Sequence, residues 1–249
     1  MHHLTTFSAH DGYVLSLQFT RDSQTLLSSG FDNRVKSWSA PGWTPGLDIA
    51  AHDKSVNGLA LSPDETLLVT CSSDQTVKRW SWPDATLLEP LQDRKQTVAA
   101  VRISADGARI GAAQYGGNVP IWTQDGAFVT RIKASKKNVT SLAFHPDGNL
   151  LAVAGLGDDI TLWSLPDGEA VGALSGHKTA AGSLTFLGDG SRLVSTGYEG
   201  AIKLWDVAAR QAVQTIPIEQ GAWGLVIAPD QGQAALLAKA RVRLFETTG

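Results

Sequence analysis

Cysteine is nearly absent from this sequence, with Cys71 the one thiol in 249 residues. That excludes an internal disulfide, a multi-cysteine zinc site and any CxxC redox or haem-attachment motif. The cytosol is the expected compartment. No run approaches about 18 consecutive apolar residues, and residues 1–11 carry neither the basic nor the apolar region of an export signal. No membrane partner is therefore expected. Neither sign of charge is in excess: 21 basic against 24 acidic residues leave −3, which argues against a chain that coats nucleic acid or an anionic surface.

Against these scarcities stand eight Trp, 25 Gly and 10 Pro, the bias left when one short motif is used repeatedly. Trp38, Trp80, Trp122, Trp163 and Trp205, followed by Phe245 in the same apolar context, recur every 40–42 residues. Such periods account for nearly the whole chain, so a single domain over 1–249 is expected, with no long linker or low-complexity tail. Within a period the signals are short apolar or alternating runs bounded by turn residues, with no helical periodicity. In the second repeat Ser55–Leu61, Leu67–Cys71, Thr76–Trp80 and a weaker Thr86–Pro90 read as four strands. The turn after the first strand recurs at Asp22, Asp64, Asp106, Asp147, Asp189 and Asp230, where Asp can accept a backbone N–H two residues on.

An upstream His, an SPDG-like turn, an acidic turn and a closing apolar-x-Trp recur as His52, SPDE, Asp74 and VKRW, and as His177, LGDG, Glu199 and IKLW. His10, His52 and His177 each precede their Trp by 28 residues. On these motifs the chain resembles the WD-repeat β-propellers, although the Trp-Asp dipeptide is complete only at Trp205-Asp206. The resemblance implies an all-β propeller and a buried tetrad in three repeats. Those tetrads fall on His10, Ser28, Asp32 and Trp38, on His52, Thr70, Asp74 and Trp80, and on His177, Ser195, Glu199 and Trp205. Their physical logic is that a buried indole N–H and a buried carboxylate both need partners, at a cost of about 1–3 kcal/mol for each group left unpaired. Repeats three, four and six depart from the pattern, with Arg94 and Gly116, Ser135 and Gly157, and Ile218 and Phe245 at tetrad positions. Those repeats are expected to be softer.

Too few residues follow Phe245 for a fourth strand, whereas Leu4–Phe7 precedes the first His where such a strand belongs. The expectation is six four-stranded antiparallel blades, the last completed by the N-terminal strand beside Arg241–Phe245, which removes an unpaired sheet edge. Truncation from a larger array, or completion by a second chain, is the alternative.

The triad-like Ser, His and acid recur three times at constant distance from a Trp, which fits satisfaction of buried groups, whereas catalysis needs one exposed nucleophile. No catalytic residue, metal site or cofactor is expected. HExxH, EF-hand and phosphate-loop motifs are missing, and Gly116-Gly117 reads as a turn. His145 belongs to the Asp147 turn, and Cys71 reads as a buried small hydrophobe. Trp43, Trp82 and Trp223 break the period and are candidates either for contact or for local packing.

In a propeller the His-bearing loops and acidic turns share one face, here called the top. Counting from the His and acid positions places Asp11, Tyr13, Phe31, Asp53, Lys95, Tyr115, Lys136, Asn138, Lys178 and Tyr198 there, with Ser55, Ser73, Thr97, Leu156 and Ala180 at matching positions. The rim divides into an acidic side at Asp11 and Asp53 and a basic side at Lys95, Lys136 and Lys178, with aromatics interleaved. The expected function is a non-enzymatic scaffold, a subunit of a larger complex, that docks a partner protein or peptide on this face, with an acidic segment on the lysine side. A ligand- or metal-binding enzyme using the central channel is the alternative, opposed by Arg102 being the only formal charge on the innermost strands. Nucleic-acid recognition is opposed by the net charge and by the acidic half of the rim.

Overall fold

The computed structural model describes residues 2–93, 95–157, 159–218, 222–227, 233–238 and 241–246, with residues 2–4 and those beyond 221 described as backbone except Val226. Every regular element among them is a strand. Five sheets have four strands and one has three. Each sheet starts from an innermost strand rich in Val, Ala and Leu: Val14–Phe19, Val56–Leu61, Val98–Ile103, Val139–Phe144, Ala181–Leu187 and Ala222–Ile227. These strands lie side by side in sequence order, and Ala222–Ile227 neighbours both Ala181–Leu187 and Val14–Phe19, so the circle is complete.

Burial follows distance from the axis. Leu67–Ser72, one strand out from the centre, is buried at every residue because neighbouring sheets cover both its faces, whereas the outer strand Gln211–Pro217 is exposed at every residue. The core is therefore divided into clusters between adjacent sheets. Leu27, Val35, Val56, Leu59, Leu68 and Trp80 fill the space between the first two, and fully burying a side chain of this kind contributes about 1.5–3 kcal/mol.

The expected six four-stranded blades are corrected to five, because the second repeat builds only Val56–Leu61, Leu67–Ser72 and Val77–Ser81. Its outermost stretch makes only the isolated bridges Trp80↔Leu87 and Val77↔Leu91, so Thr86–Pro90 is not a strand. Outer strands elsewhere in this fold carry a register shift beside the Trp, as at Trp122↔Phe128 and Trp205↔Ala212. In the second repeat Pro90 falls in the short stretch left between that shift and the strand end. It restricts Glu89, and proline is disfavoured inside a ladder, so continuous pairing does not form.

His2–Ser8 pairs antiparallel with Arg241–Glu246, from His2↔Glu246 to Ser8↔Arg241, and is the fourth strand of the last sheet. The ring of Phe7 lies 4.8 Å from that of Trp38, which ties this strand to the first sheet. The aspartate turns form as the sequence suggests: Asp22, Asp106, Asp147 and Asp189 each accept the amide two residues on at 2.9 Å, and Asp64 does so at 3.2 Å. Asp230 lies outside the described residues. Trp43 is buried, edge-on to Phe19 at 6.0 Å, and Trp82 is half-buried against the core between the first two sheets; both are packing residues. The side chain of Trp223 lies outside the described residues.

Candidate partner-binding face

Three four-residue networks tie the third strand of a sheet to its top face. Trp38 Nε1–H donates to Ser28 Oγ at 2.8 Å, His10 Nε2 is 2.8 Å from that oxygen, and His10 Nδ1 is 2.8 Å from Asp32. Trp80, Thr70, His52 and Asp74 repeat it at 2.9, 2.8 and 2.8 Å. Trp205, Ser195, His177 and Glu199 do so at 2.7, 2.5 and 2.6 Å. With the carboxylate accepting from Nδ1–H, Nε2 is left to accept the hydroxyl proton, so each hydroxyl accepts from indole and donates to imidazole. Burial pushes the pKa of His10 and His52 below 6.5 despite their carboxylate partners, which favours this neutral tautomer. Burial alone would raise Asp74, but hydrogen bonding from Thr76 and the bond and charge of His52 bring it to about 2. Glu199 reaches about 2 in the same way, burial being outweighed by hydrogen bonds from Thr179 and His177.

This arrangement is unsuited to nucleophilic catalysis. Ser28, Thr70 and Ser195 are buried, and each hydroxyl oxygen already accepts an indole N–H. The carboxylates instead organise the top loops. Asp32 accepts the amide of Asp11 at 3.3 Å, Asp74 that of Asp53 at 3.2 Å, and Glu199 that of Lys178 at 3.4 Å. A second backbone bond repeats in five sheets, linking the residue before the acidic turn to the residue three past the His position. Phe31 donates to Tyr13 at 3.0 Å, Ser73 to Ser55 at 3.2 Å, Tyr115 to Thr97 at 2.9 Å, Leu156 to Asn138 at 3.0 Å and Tyr198 to Ala180 at 3.2 Å.

The rim side chains are thus presented from pinned backbone. Asp11, Asp53, Lys95, Lys136 and Lys178 are exposed, and Asn138 is half-buried with its Oδ1 accepting the amide of Gly116 at 2.9 Å. Tyr13, Phe31, Tyr115 and Tyr198 are 45%, 52%, 42% and 52% exposed, which is unusual for aromatic residues. Tyr13 and Phe31 form a pair with centroids 5.5 Å apart. Phe31, Tyr115 and Tyr198 surround the mouth of the central channel, a depression of about 260 Å³.

Two repeats solve the indole problem with residues that sequence reasoning passed over. In the third, Trp122 Nε1–H donates to the carbonyl of Gln92 at 3.3 Å, while Gln114 donates to Asp93 at 2.7 Å and Arg131 pairs with the same carboxylate. In the fourth, Trp163 donates to Thr161 Oγ1 at 2.8 Å, two positions away on its own strand. The alternation of Thr161 and Trp163 on one strand face was the available signal. For Asp93 there was none, because it sits one place before the position where the pattern sets a His. Arg94 and the side chain of Phe245 lie outside the described residues.

Among the described residues no group of three or more His, Cys, Asp and Glu side chains could hold a metal ion, and no helix is long and apolar enough to cross a membrane. Cys71 is buried against the core, and burial pushes its thiol pKa up.

Residues 1–39 and 43–81 match a family model described as WD domain, G-beta repeat, and residues 108–228 match one described as IFT140 first beta-propeller. The chain belongs to the WD-repeat β-propellers. Among curated proteins, the WD-repeat chain is similar to Periodic tryptophan protein 2 homolog of Schizosaccharomyces pombe, with 28% identity over 93 residues. That alignment covers 36% of the chain and 11% of the relative's length. WD-repeat propellers commonly serve as protein-interaction scaffolds and are generally not enzymes.

Proposed function

We propose that residues 1–249 act as one rigid disc that docks a partner protein or peptide on its top face, as a non-enzymatic member of a larger assembly. The observation that carries this reading is the set of exposed aromatics held on paired backbone, Phe31, Tyr115 and Tyr198 at the channel mouth and Tyr13 beside Phe31. Exposed apolar surface beside charge is the composition of contact patches, and rim backbone that is already ordered loses little entropy on binding. The basic side, Lys95, Lys136 and Lys178, selects an acidic segment. Lys136 and Lys137 also border a surface groove that continues down to Val153 and Ala173.

The test uses a fluorescent glutamate-rich peptide containing one aromatic residue, titrated onto the full chain at low and high salt. The triple variant Lys95→Glu, Lys136→Glu, Lys178→Glu is expected to bind it at least about tenfold more weakly and with a flatter salt dependence. Unchanged affinity and unchanged salt dependence would remove the lysine side from the reading.

A further inference from the structure

Below the aromatic mouth the channel narrows to a cavity of about 40 Å³ whose wall includes the side chain of Arg102. The two spaces adjoin, since Leu15, Asn57, Ala99, Thr140 and Gly182 line both. Arg102 stands near the end of Val98–Ile103, and its Nη1–H donates to the carbonyl of Val101 at 2.8 Å. No described carboxylate pairs with it. An arginine withdrawn from bulk water without a counter-charge is costly, and burial pushes its pKa down.

Most other polar groups of the wall are already engaged. Asn57 Nδ2 donates to Val98 O at 2.8 Å and to Ser73 Oγ at 3.0 Å, Thr140 Oγ1 donates to Ala181 O at 2.9 Å, and Ser16 Oγ accepts the amide of Leu59 at 3.3 Å. Ser141 differs. It is 1% exposed, lines the same cavity, and its hydroxyl has no partner among the described residues. A cation without a counter-ion thus lines one small space, and Ser141 adjoins it with an unengaged hydroxyl that lies just beneath the cavity surface.

We propose that the channel is a binding site for a single carboxylate-sized anion, held by the Arg102 guanidinium, with the unengaged Ser141 hydroxyl turning in to donate a second bond. The cavity admits about three waters at roughly 10–15 Å³ each, which suits a carboxylate and excludes a nucleotide. A guanidinium and a hydroxyl are complementary to carboxylate oxygens, and charge-assisted bonds of this kind are stronger than neutral ones. The anion could be free, or it could be a Glu or Asp side chain of a docked segment that enters between Phe31, Tyr115 and Tyr198. This site stands apart from the lysine side of the rim and does not depend on it.

The probe is sodium formate, titrated into the full chain at constant ionic strength while the melting temperature is followed. Saturable stabilisation is expected for the native sequence, as for any ligand that binds only the folded state. The apparent Kd should weaken about tenfold or more in Arg102→Gln and less in Ser141→Ala. Arg102→Lys, which keeps the charge without the fork, should fall between the native chain and Arg102→Gln. A linear response shared by all four proteins would be a general salt effect and would overturn the site. To separate the two sources, the glutamate-rich peptide is titrated with and without saturating formate. Competition identifies an inserted side chain as the ligand, and peptide binding indifferent to formate identifies the free anion. Loss of peptide binding altogether would count against the docking reading and leave the formate result standing.

Discussion

The amide of Asp53 donates to the carboxylate of Asp74, 3.2 Å away, and the same carboxylate holds Nδ1 of His52. A rim residue and a buried network therefore share one acid. The polar groups that repeat through the sequence do two things: they satisfy the indole inside the sheet, and they fix the backbone from which the top-face side chains project.

Ser28 and Ser29 are adjacent and both buried, yet their substitution by Ala should have unequal consequences. Ser28→Ala leaves the indole N–H of Trp38 and Nε2 of His10 without the hydroxyl that joins them, at about 1–3 kcal/mol for each group. The Ser29 hydroxyl has no partner among the described residues, so Ser29→Ala should be near neutral. Urea denaturation of the two variants decides it, and equal losses would contradict the assignment.

Acid should weaken the fold in two steps. His10 and His52 have folded pKa values below 6.5, chiefly through burial, so they take up protons more readily when unfolded. Their contribution is full above 6.5 and is lost as pH falls through the lower folded values. Asp74 and Glu199, brought from 3.8 and 4.5 to about 2, contribute above those ordinary values and lose it as pH falls towards 2. Both steps have the same sign. Melting followed by circular dichroism at about pH 7.5, 5.5 and 3.5 should give successively lower midpoints, and a higher midpoint at the middle value would refute the histidine step.

Removing residues 1–8 deletes His2–Ser8 and leaves the backbone of Arg241–Glu246 as an open edge. It also takes Phe7 from the ring of Trp38. The expected result is a lower melting temperature and concentration-dependent association, because an unpaired edge recruits other strands. Sedimentation velocity of the shortened chain is the measurement, and a monomer that melts like the full chain would show the pairing to be dispensable.

Much of this was legible in one sequence because each feature rests on local chemistry. The spacing of Trp38, Trp80, Trp122, Trp163 and Trp205 gave the repeat, and the Asp turns marked the ends of the innermost strands. The rim positions of Tyr13, Phe31, Tyr115 and Tyr198 followed by counting. What stayed hidden depends on register or on distant contacts. Thr86–Pro90 has a strand-like composition, and only its pairing against Val77–Trp80 reveals that Pro90 leaves too little ladder. Trp43 sits in a turn rich in Pro and Gly, where contact and packing read equally well, and Phe19, from an earlier strand, decides for packing. Asp93 gains its role from Gln114 and Arg131, which no motif links to it. Arg102 was visible as a lone charge on an inner strand, but the cavity whose wall it shares with Ser141 became apparent only when the strands were arranged around one axis.

The pairing of residues 2–8 with residues 241–246 also constrains how the molecule is made. During synthesis the first of these strands leaves the ribosome long before the second exists. The nascent chain must therefore carry an unsatisfied β-edge until residues 241–246 have been made. Closure of such remote contacts is slow, and exposed edges are hazardous meanwhile, so chaperone capture of the growing polypeptide would protect its yield.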